Sequence, residues 1–363
     1  MSDALQAGTA EKSAAGSSVG NGVSWRGDAD RLSLEPDSFL AGLRPGGAGC
    51  LGLSGGLRLF LEEAVSPRRL TLTVTAERDG QRVDTLLRRV LGLSGTLVKR
   101  AKREPGGILL DGVPVFVTQT GRAGQVLSVL VGDTAVESAV VPRPGPLDIR
   151  YEDEDLLIVN KASGVAVHPS PDHYDDTLGN FLVEYYRMTG QIVQFRPVNR
   201  LDRGTSGLMC VAKHAHAQEI LKGRLHTGGF RRRYLAICDG VPEPSEGMID
   251  APIGRAEGSV LKREVRPDGA EARTRYWVRQ VMGERALVEL ELDTGRTHQI
   301  RVHMAHLGCP LTGDFLYGVE NQAVIGRAAL HSWKLTLLHP ITGVELAFEA
   351  PLPADMAALV SRA

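Results

Sequence analysis

Cysteine is scarce in this chain, and the four present, Cys50, Cys210, Cys238 and Cys309, lie far apart with no C-x-x-C pair. That excludes a disulfide framework and a cysteine zinc site, and fits reduced, buried thiols. No run of about 18 uncharged apolar residues occurs, so no membrane-spanning helix is expected. The first residues lack the basic, apolar and small-residue zones of a secretory signal, and the expected location is cytoplasmic. An excess of one charge is also missing, since the formal net charge is -1. Any attraction for a polyanion must therefore come from local patches.

The chain's 363 residues exceed the size at which one core usually keeps growing, so two ordered domains plus irregular segments are expected. Residues 1–68 are rich in Gly, Ala and Ser with no sustained apolar period, and read as a largely disordered extension. Over 77–133 the character changes. Val83, Leu86, Leu87, Val90 and Leu91 recur at helical spacing, and Leu97 and Val98 open a second helical run that Gly106 and Gly107 stop. "ILLDGVPV" then reads as a hairpin turning through Asp111 and Gly112. This small α/β unit carries nine lysines and arginines against six acids. Lys99, Arg100, Lys102 and Arg103 are its densest cationic cluster and its candidate RNA-binding edge.

Residues 134–146, with the proline-rich "VVPRPGPLD" at 140–148, read as an extended linker. Beyond it come short β-rich runs, helices near 176–189 and 213–226, and strands at "RYLAICDG", "RTRYWVRQ" and "ALVELELDTG". Strands and helices do not alternate, so residues 147–357 are expected to form a mixed α+β domain with a mainly antiparallel sheet.

Candidate chemistry centres on "RPVNRLDRGTSGL", which sets Asp202 between Arg200 and Arg203 and then turns through Gly204 to Gly207. A carboxylate close to guanidinium groups stays ionised at neutral pH, a usable nucleophile or base and a poor proton donor. A surface aspartate in an ordinary ion pair would read the same way. "GGFRRRYLAICDG" places Arg231, Arg232 and Arg233 before Tyr234, a run that could meet phosphates while the ring stacks on a base, or could be a solvated basic face. "DTGRTHQIRVHMAHLG" offers Arg296, Thr297, His298, Gln299 and Arg301 as phosphate or carboxylate contacts. His298, His303 and His306 have no suitable acidic or cysteine co-ligand, so no metal is expected. "KASGVAVHP", with Lys161, Gly164 and His168, could be a plain hairpin.

In order along the chain, "LLIVNKASGVAVHPSPD", "RPVNRLDRGTSGLMCVAK", "RRRYLAICDG", "APIGR", "ELDTGRTHQIRVHMAHLGCPLTGDFLYG" and "LHSWKLTLLHPITGVELAFEAPLP" resemble the RluA family of ribosomal large-subunit-type RNA pseudouridine synthases, over about 147–357. The 77–133 unit resembles the αL RNA-binding domain that many such synthases carry. The resemblance implies isomerisation of uridine to pseudouridine in structured RNA, ribosomal RNA ahead of transfer RNA, by a monomer using neither metal nor organic cofactor. It implies that the catalytic residues are Asp202, which acts at the ribose, Arg301, which pairs with it, and Tyr234, which sits against the uracil and assists the final proton removal, and that Arg200 fills the space of a flipped base. Asn199 stands where His is common, Gly204 where Asp is common, and Ala162 where Pro is common. The rival expectations are an RNA-binding or RNA-folding protein without chemistry and, further off, a base-removing glycosylase.

Overall fold

The computed structural model describes residues 67–361 other than 137 and 226, so the extension read over 1–68, with Cys50, lies outside the described residues except for its last two, of which Arg68 is held in place by Asp155. The first ordered part is β1 (Arg69–Thr73), α1 (Val83–Thr85), α2 (Gly95–Ala101), β2 (Ile108–Leu110), β3 (Val113–Pro114) and β4 (Val126–Leu130). Its four strands form a sheet in the order β1-β4-β2-β3, over a core of Leu86, Leu87, Val98, Leu127 and Val129. The run read as one amphipathic helix is short: α1 widens into a π turn, Leu86–Val90, which brings both Leu86 and Leu87 fully inside. The hairpin turn is as expected, with Asp111 and Gly112 both at positive φ.

The segment 134–146 carries no helix or strand among its described residues, but it is not free. Asn180 donates its side-chain amide to the Val141 carbonyl, and Arg143 donates its backbone N–H to the Asn180 carbonyl. Asp133, just before it, accepts from Arg100 within the small unit and from Arg196 across the boundary, at 3.1 and 2.6 Å. At the other end of the contact Arg68 reaches Asp155 at 2.9 Å.

The larger part adds β5 (Ile149–Glu152), β6 (Leu156–Lys161), α3 (Leu178–Met188), β7 (Arg196–Pro197), β8 (Ser206–Ala212), α4 (Ala215–Arg224), β9 (Phe230–Asp239), β10 (Glu246–Asp250), β11 (Ile253–Arg255) and β12 (Arg263–Val265). It closes with β13 (Arg273–Met282), β14 (Arg285–Leu292), α5 (Gln299–His306), β15 (Leu330–Leu338), β16 (Glu345–Glu349) and α6 (Ala354–Ser361). Ten strands make one sheet, β10-β13-β14-β9-β15-β8-β6-β5 with β16 and β7 attached, while β11 and β12 pair only with each other. The expected α+β class with a mainly antiparallel sheet is what forms, the single parallel contact being β15 against β8. Opposite faces of that sheet bury separate cores, one with Leu182, Met209 and Val288, the other with Leu156, Leu208 and Leu335. Cys210, Cys238 and Cys309 are buried and unbridged. No helix among the described residues is long and apolar enough to cross a membrane.

The parallel contact sets Gly207 opposite Ser332, and Ser332 is also opposite Tyr234 on β9. At Gly207, φ is 114° and any Cβ would run into the Ser332 backbone. Only glycine lets the two strands approach here. Below this crossing His331 is enclosed, one ring nitrogen on the Ser206 hydroxyl and the other on the Ala350 carbonyl.

Burial drives the His331 imidazole down from 6.5 to about 4. Between those values the unfolded chain binds a proton that the folded one refuses, so stability is complete above pH 6.5 and is lost as pH falls toward 4, by up to about 1.4 kcal/mol per pH unit. Urea unfolding of the parent over that range should show the decline, and His331→Gln should show a shallower one.

Candidate active site

Asp202 sits on the turn between β7 and β8. Thr205 donates its N–H to the Asp202 carbonyl at 3.0 Å, so the tight turn runs from 202 to 205 and Gly207 already belongs to the strand. The glycines of "RGTSG" therefore have different duties: Gly207 is demanded by strand packing, whereas a Cβ on Gly204 would meet nothing nearer than the Arg327 Cβ at 3.8 Å. An aspartate would fit at 204.

The turn is clamped from beneath by the segment that read as a plain hairpin. Buried Lys161 donates its ammonium to the carbonyls of Ala162, Val165 and Arg203, at 2.8, 2.8 and 3.2 Å. Ser163 donates its hydroxyl to the Gly204 carbonyl, and Arg203 donates Nε to the Gly164 carbonyl. Burial pushes the Lys161 ammonium down to about 7, against the pull of the Asp202 charge. Arg203 thus contributes to the turn, not to the carboxylate.

The guanidinium that approaches Asp202 comes from 99 residues further on. Arg301 Nη1 lies 3.5 Å from Asp202 Oδ2. This arginine is itself held by Asp314, which takes Nε and Nη2 at 2.7 Å each, so Nη1 is the nitrogen left to face Asp202. Asp314 is fully buried, and it also accepts the backbone N–H of Leu316 and Tyr317. Burial opposes the charge on Arg301, but the two carboxylates outweigh it and raise its pKa. The guanidinium lies over the Tyr317 ring at 5.0 Å. His298 Nε2 is 3.9 Å from the same Asp202 Oδ2. Oδ1 has no hydrogen bond among the described residues.

Asp202 opens onto a cleft of about 850 Å³ that runs past Tyr234 and Asn199 to His168 and Phe195. Arg196, Arg200, Lys222, Arg232 and Arg296 line it, and Asp202 is the single acid among the lining residues. Strand alternation sorts the run "RRRY": Arg232 shares a face with Tyr234 toward the cleft, while Arg231 and Arg233 point the other way. Arg231 meets Glu345 at 3.8 Å, and Arg233 is held by Glu289 and Glu291 at 2.8 Å each. Arg232 is buried, with its Nε unpartnered and no carboxylate against it among the described residues. Burial raises the Tyr234 pKa, with Arg232 opposing.

The remaining candidates divide. Arg200 and Thr297 are exposed on the cleft wall, as is Arg296, whose Nε is on the Glu271 carbonyl. Gln299 turns inward: its amide accepts from Thr294 and the Arg296 N–H and donates to Arg273 and Thr274, which shapes the loop at 294–296. Lys99, Lys102 and Arg103 are exposed on α2 and just beyond it, and Arg100 is occupied by Asp133 and the Gly132 carbonyl. Both nitrogens of His303 are taken by Thr274 and Ala251. Asp153, Asp155 and His339 could group about a cation, but His339 already bonds Asp153 while Arg68 and His214 bond Asp155. Asn199 accepts the Cys210 N–H through Oδ1.

Sequence reasoning missed Asp314, Tyr317 and the role of Lys161. Asp314 was visible as an acid inside "LTGDFLYG", directly after Gly313 at positive φ, yet nothing in the sequence pairs it with Arg301.

A family model described as RNA pseudouridylate synthase matches residues 155–306. The uncharacterized RNA pseudouridine synthase YjbO of Bacillus subtilis (strain 168) is 43% identical over 270 residues, 74% of this chain and 95% of the relative. Ribosomal large subunit pseudouridine synthase D of Nitrosomonas europaea is 36% identical over 299 residues, 80% of this chain and 87% of the relative. Among solved structures, human RNA pseudouridylate synthase domain containing 4 is similar at 26% identity with a TM-score of 0.49, covering 59% of this chain and 92% of that one. The chain belongs to the RNA pseudouridine synthase family. It is an isomerase that converts uridine in RNA to pseudouridine.

The buried pair of Arg301 and Asp314 should be costly to break, because removing one partner strands the other charge. Asp314→Ala is expected to lose about 3–5 kcal/mol of unfolding free energy in urea titration.

Proposed function

We propose that the substrate is ribosomal RNA and that Asp202 is the catalytic carboxylate. The observation that carries this is the isolation of Asp202 as the one acid on a cationic cleft, with Oδ2 faced by Arg301 and Oδ1 free. The choice of ribosomal over transfer RNA is supported by relatives whose names specify the ribosomal large subunit.

Isomerisation breaks the bond from ribose C1′ to uracil N1, turns the base, joins C1′ to C5 and releases the C5 proton while N1 takes one up. A stacked uridine must first leave the helix, at a cost of a few kcal/mol. Arg200, exposed on the cleft wall, occupies the space the base vacates. The Tyr234 ring lies against the uracil. Burial keeps its hydroxyl protonated at neutral pH, so packing rather than standing base strength is its contribution before reaction. Asp202 Oδ1 acts at the ribose while Arg301 holds the carboxylate in orientation. Arg232, Arg296, Thr297 and Lys222 meet phosphates.

We read residues 77–133 as an αL-type RNA-binding domain with Lys99, Lys102 and Arg103 toward RNA, 134–146 as its connection and 147–357 as the catalytic domain. A monomeric, cytoplasmic enzyme using neither metal nor organic cofactor goes with this reading.

Asp202→Asn preserves size and removes charge, so pseudouridine should vanish from large-subunit RNA treated with the purified variant while RNA binding persists. Reverse-transcription mapping after carbodiimide treatment reads the first and filter binding the second; turnover by Asp202→Asn would sink the assignment. The unanswered cation predicts a second asymmetry. Arg232→Gln should weaken RNA binding and flatten its salt dependence by about one counterion, whereas Arg231→Gln, one residue away on the opposite face, should change neither. Equal effects from the two would mean that the cleft is not the phosphate path.

A further inference from the structure

The hairpin β11–β12 stands outside the ten-stranded sheet, and its tip leaves Val260 and Leu261 exposed. Its base is tied to the active site twice. Ile253 and Val265 pack on Val302 of α5 and on Tyr317, next to Arg301 in sequence and in space. The Arg263 backbone N–H donates to the Tyr317 hydroxyl at 2.9 Å, and that hydroxyl lies 2.9 Å from His298 Nδ1.

The chemistry of these groups fixes the direction of the chain. A backbone N–H can only donate, so the Tyr317 oxygen accepts from Arg263. Its own proton has no other acceptor among the described residues than His298 Nδ1. Nδ1 is then the acceptor, and the imidazole proton resides on Nε2, 3.9 Å from Asp202 Oδ2. The opposite tautomer would aim a lone pair at a carboxylate and leave the hydroxyl proton unused. Burial favours the uncharged ring, with the Asp202 charge pulling the other way. His298 is itself held in place at a positive φ of 58°, at the start of α5.

We propose that His298 is a positioning residue for Asp202, and that Tyr317, anchored on the backbone of the β11–β12 hairpin, sets its tautomer so that the hairpin's placement is transmitted to the carboxylate. The inference rests on the reading of Asp202 as catalytic. At 3.9 Å the Nε2–H is too far for a hydrogen bond, but such contacts in a free enzyme commonly tighten once substrate is bound. Arg301 and His298 would then both grip Oδ2, leaving Oδ1 as the reacting oxygen.

The test uses the full chain and large-subunit ribosomal RNA transcribed with uridine tritiated at C5, which loses its label to water as the new bond forms. Tyr317→Phe keeps the ring under Arg301 and deletes only the hydroxyl. It should lower the single-turnover rate roughly tenfold with RNA affinity unchanged, as should His298→Ala, while His298→Gln, which keeps a donor of similar reach, recovers most of the loss. In 15N spectra of histidine-labelled protein, the signal lost in His298→Gln should show Nε2 protonated in the parent, and Tyr317→Phe should mix the tautomers. Full rates in both Tyr317→Phe and His298→Ala, a loss confined to affinity, a glutamine variant no better than alanine, or a parent ring protonated on Nδ1 would each overturn the relay. Should His298→Ala fail to fold, Tyr317→Phe and the spectra decide alone. Turnover by Asp202→Asn would instead remove the reading beneath, and is scored separately in the same assay.

Discussion

A guanidinium placed under an open cleft keeps its charge at any pH, so it must be answered from inside the fold. Asp314 gives that answer to Arg301 along one edge, Nε and Nη2, and is itself held by two backbone N–H groups. The remaining nitrogen, Nη1, has a fixed direction and lies against Asp202. The candidate site is arranged around this division of one side chain between a fully buried carboxylate and a half-buried one that opens onto the cleft. Tyr317 carries the underside of the same guanidinium and its hydroxyl reaches His298, so both groups that face Asp202, Arg301 and His298, are held by one short segment, Asp314 to Tyr317.

The sheet decides how close that arrangement comes to the cleft wall at Tyr234. Antiparallel pairing would serve everywhere else, but the parallel contact of β15 with β8 lets the turn bearing Asp202 and the strand bearing Tyr234 converge on Ser332. The contact is possible because position 207 lacks a Cβ. Lys161 then fixes the height of the turn by taking three carbonyls at once. Those bonds explain why a lysine is tolerated at 2% exposure, where an unpaired ammonium would be expelled.

The sequence made the larger outlines readable because they rest on local rules. β-rich runs marked long strands, the Asp111-Gly112 turn needed two positive φ values, and the irregular order of strands and helices argued for a mixed, mainly antiparallel sheet. Asp202, Tyr234 and Arg301 were accessible through ordered motifs. What stayed hidden was pairing at long range. Arg200 and Arg203 flank Asp202 in the chain, yet Arg203 is turned onto the Gly164 carbonyl and Arg200 stands exposed on the cleft wall, and the guanidinium that arrives is from α5. Asp314 and Lys161 were printed in plain view, but which charge a buried charge answers is settled by the fold. The alternation that separates Arg232 from Arg231 and Arg233 was legible in principle, since it needs only the strand assignment and a period of two.

The distribution of answered and unanswered charge separates scaffold from surface. Arg231 and Arg233, Arg196 and Arg100 all face carboxylates of the protein, and each holds strands or domains together. Arg232 is as buried as any of them and faces none among the described residues. Its guanidinium meets only the Leu225 carbonyl among those residues and otherwise lines the cleft. On the reading of this cleft as the RNA path, an entering polyanion supplies the negative charge that Arg232 lacks. On this account the cleft is deliberately deficient in acid, and the one acid it keeps, Asp202, can remain there because Arg301 offsets its repulsion toward phosphate while leaving one oxygen free.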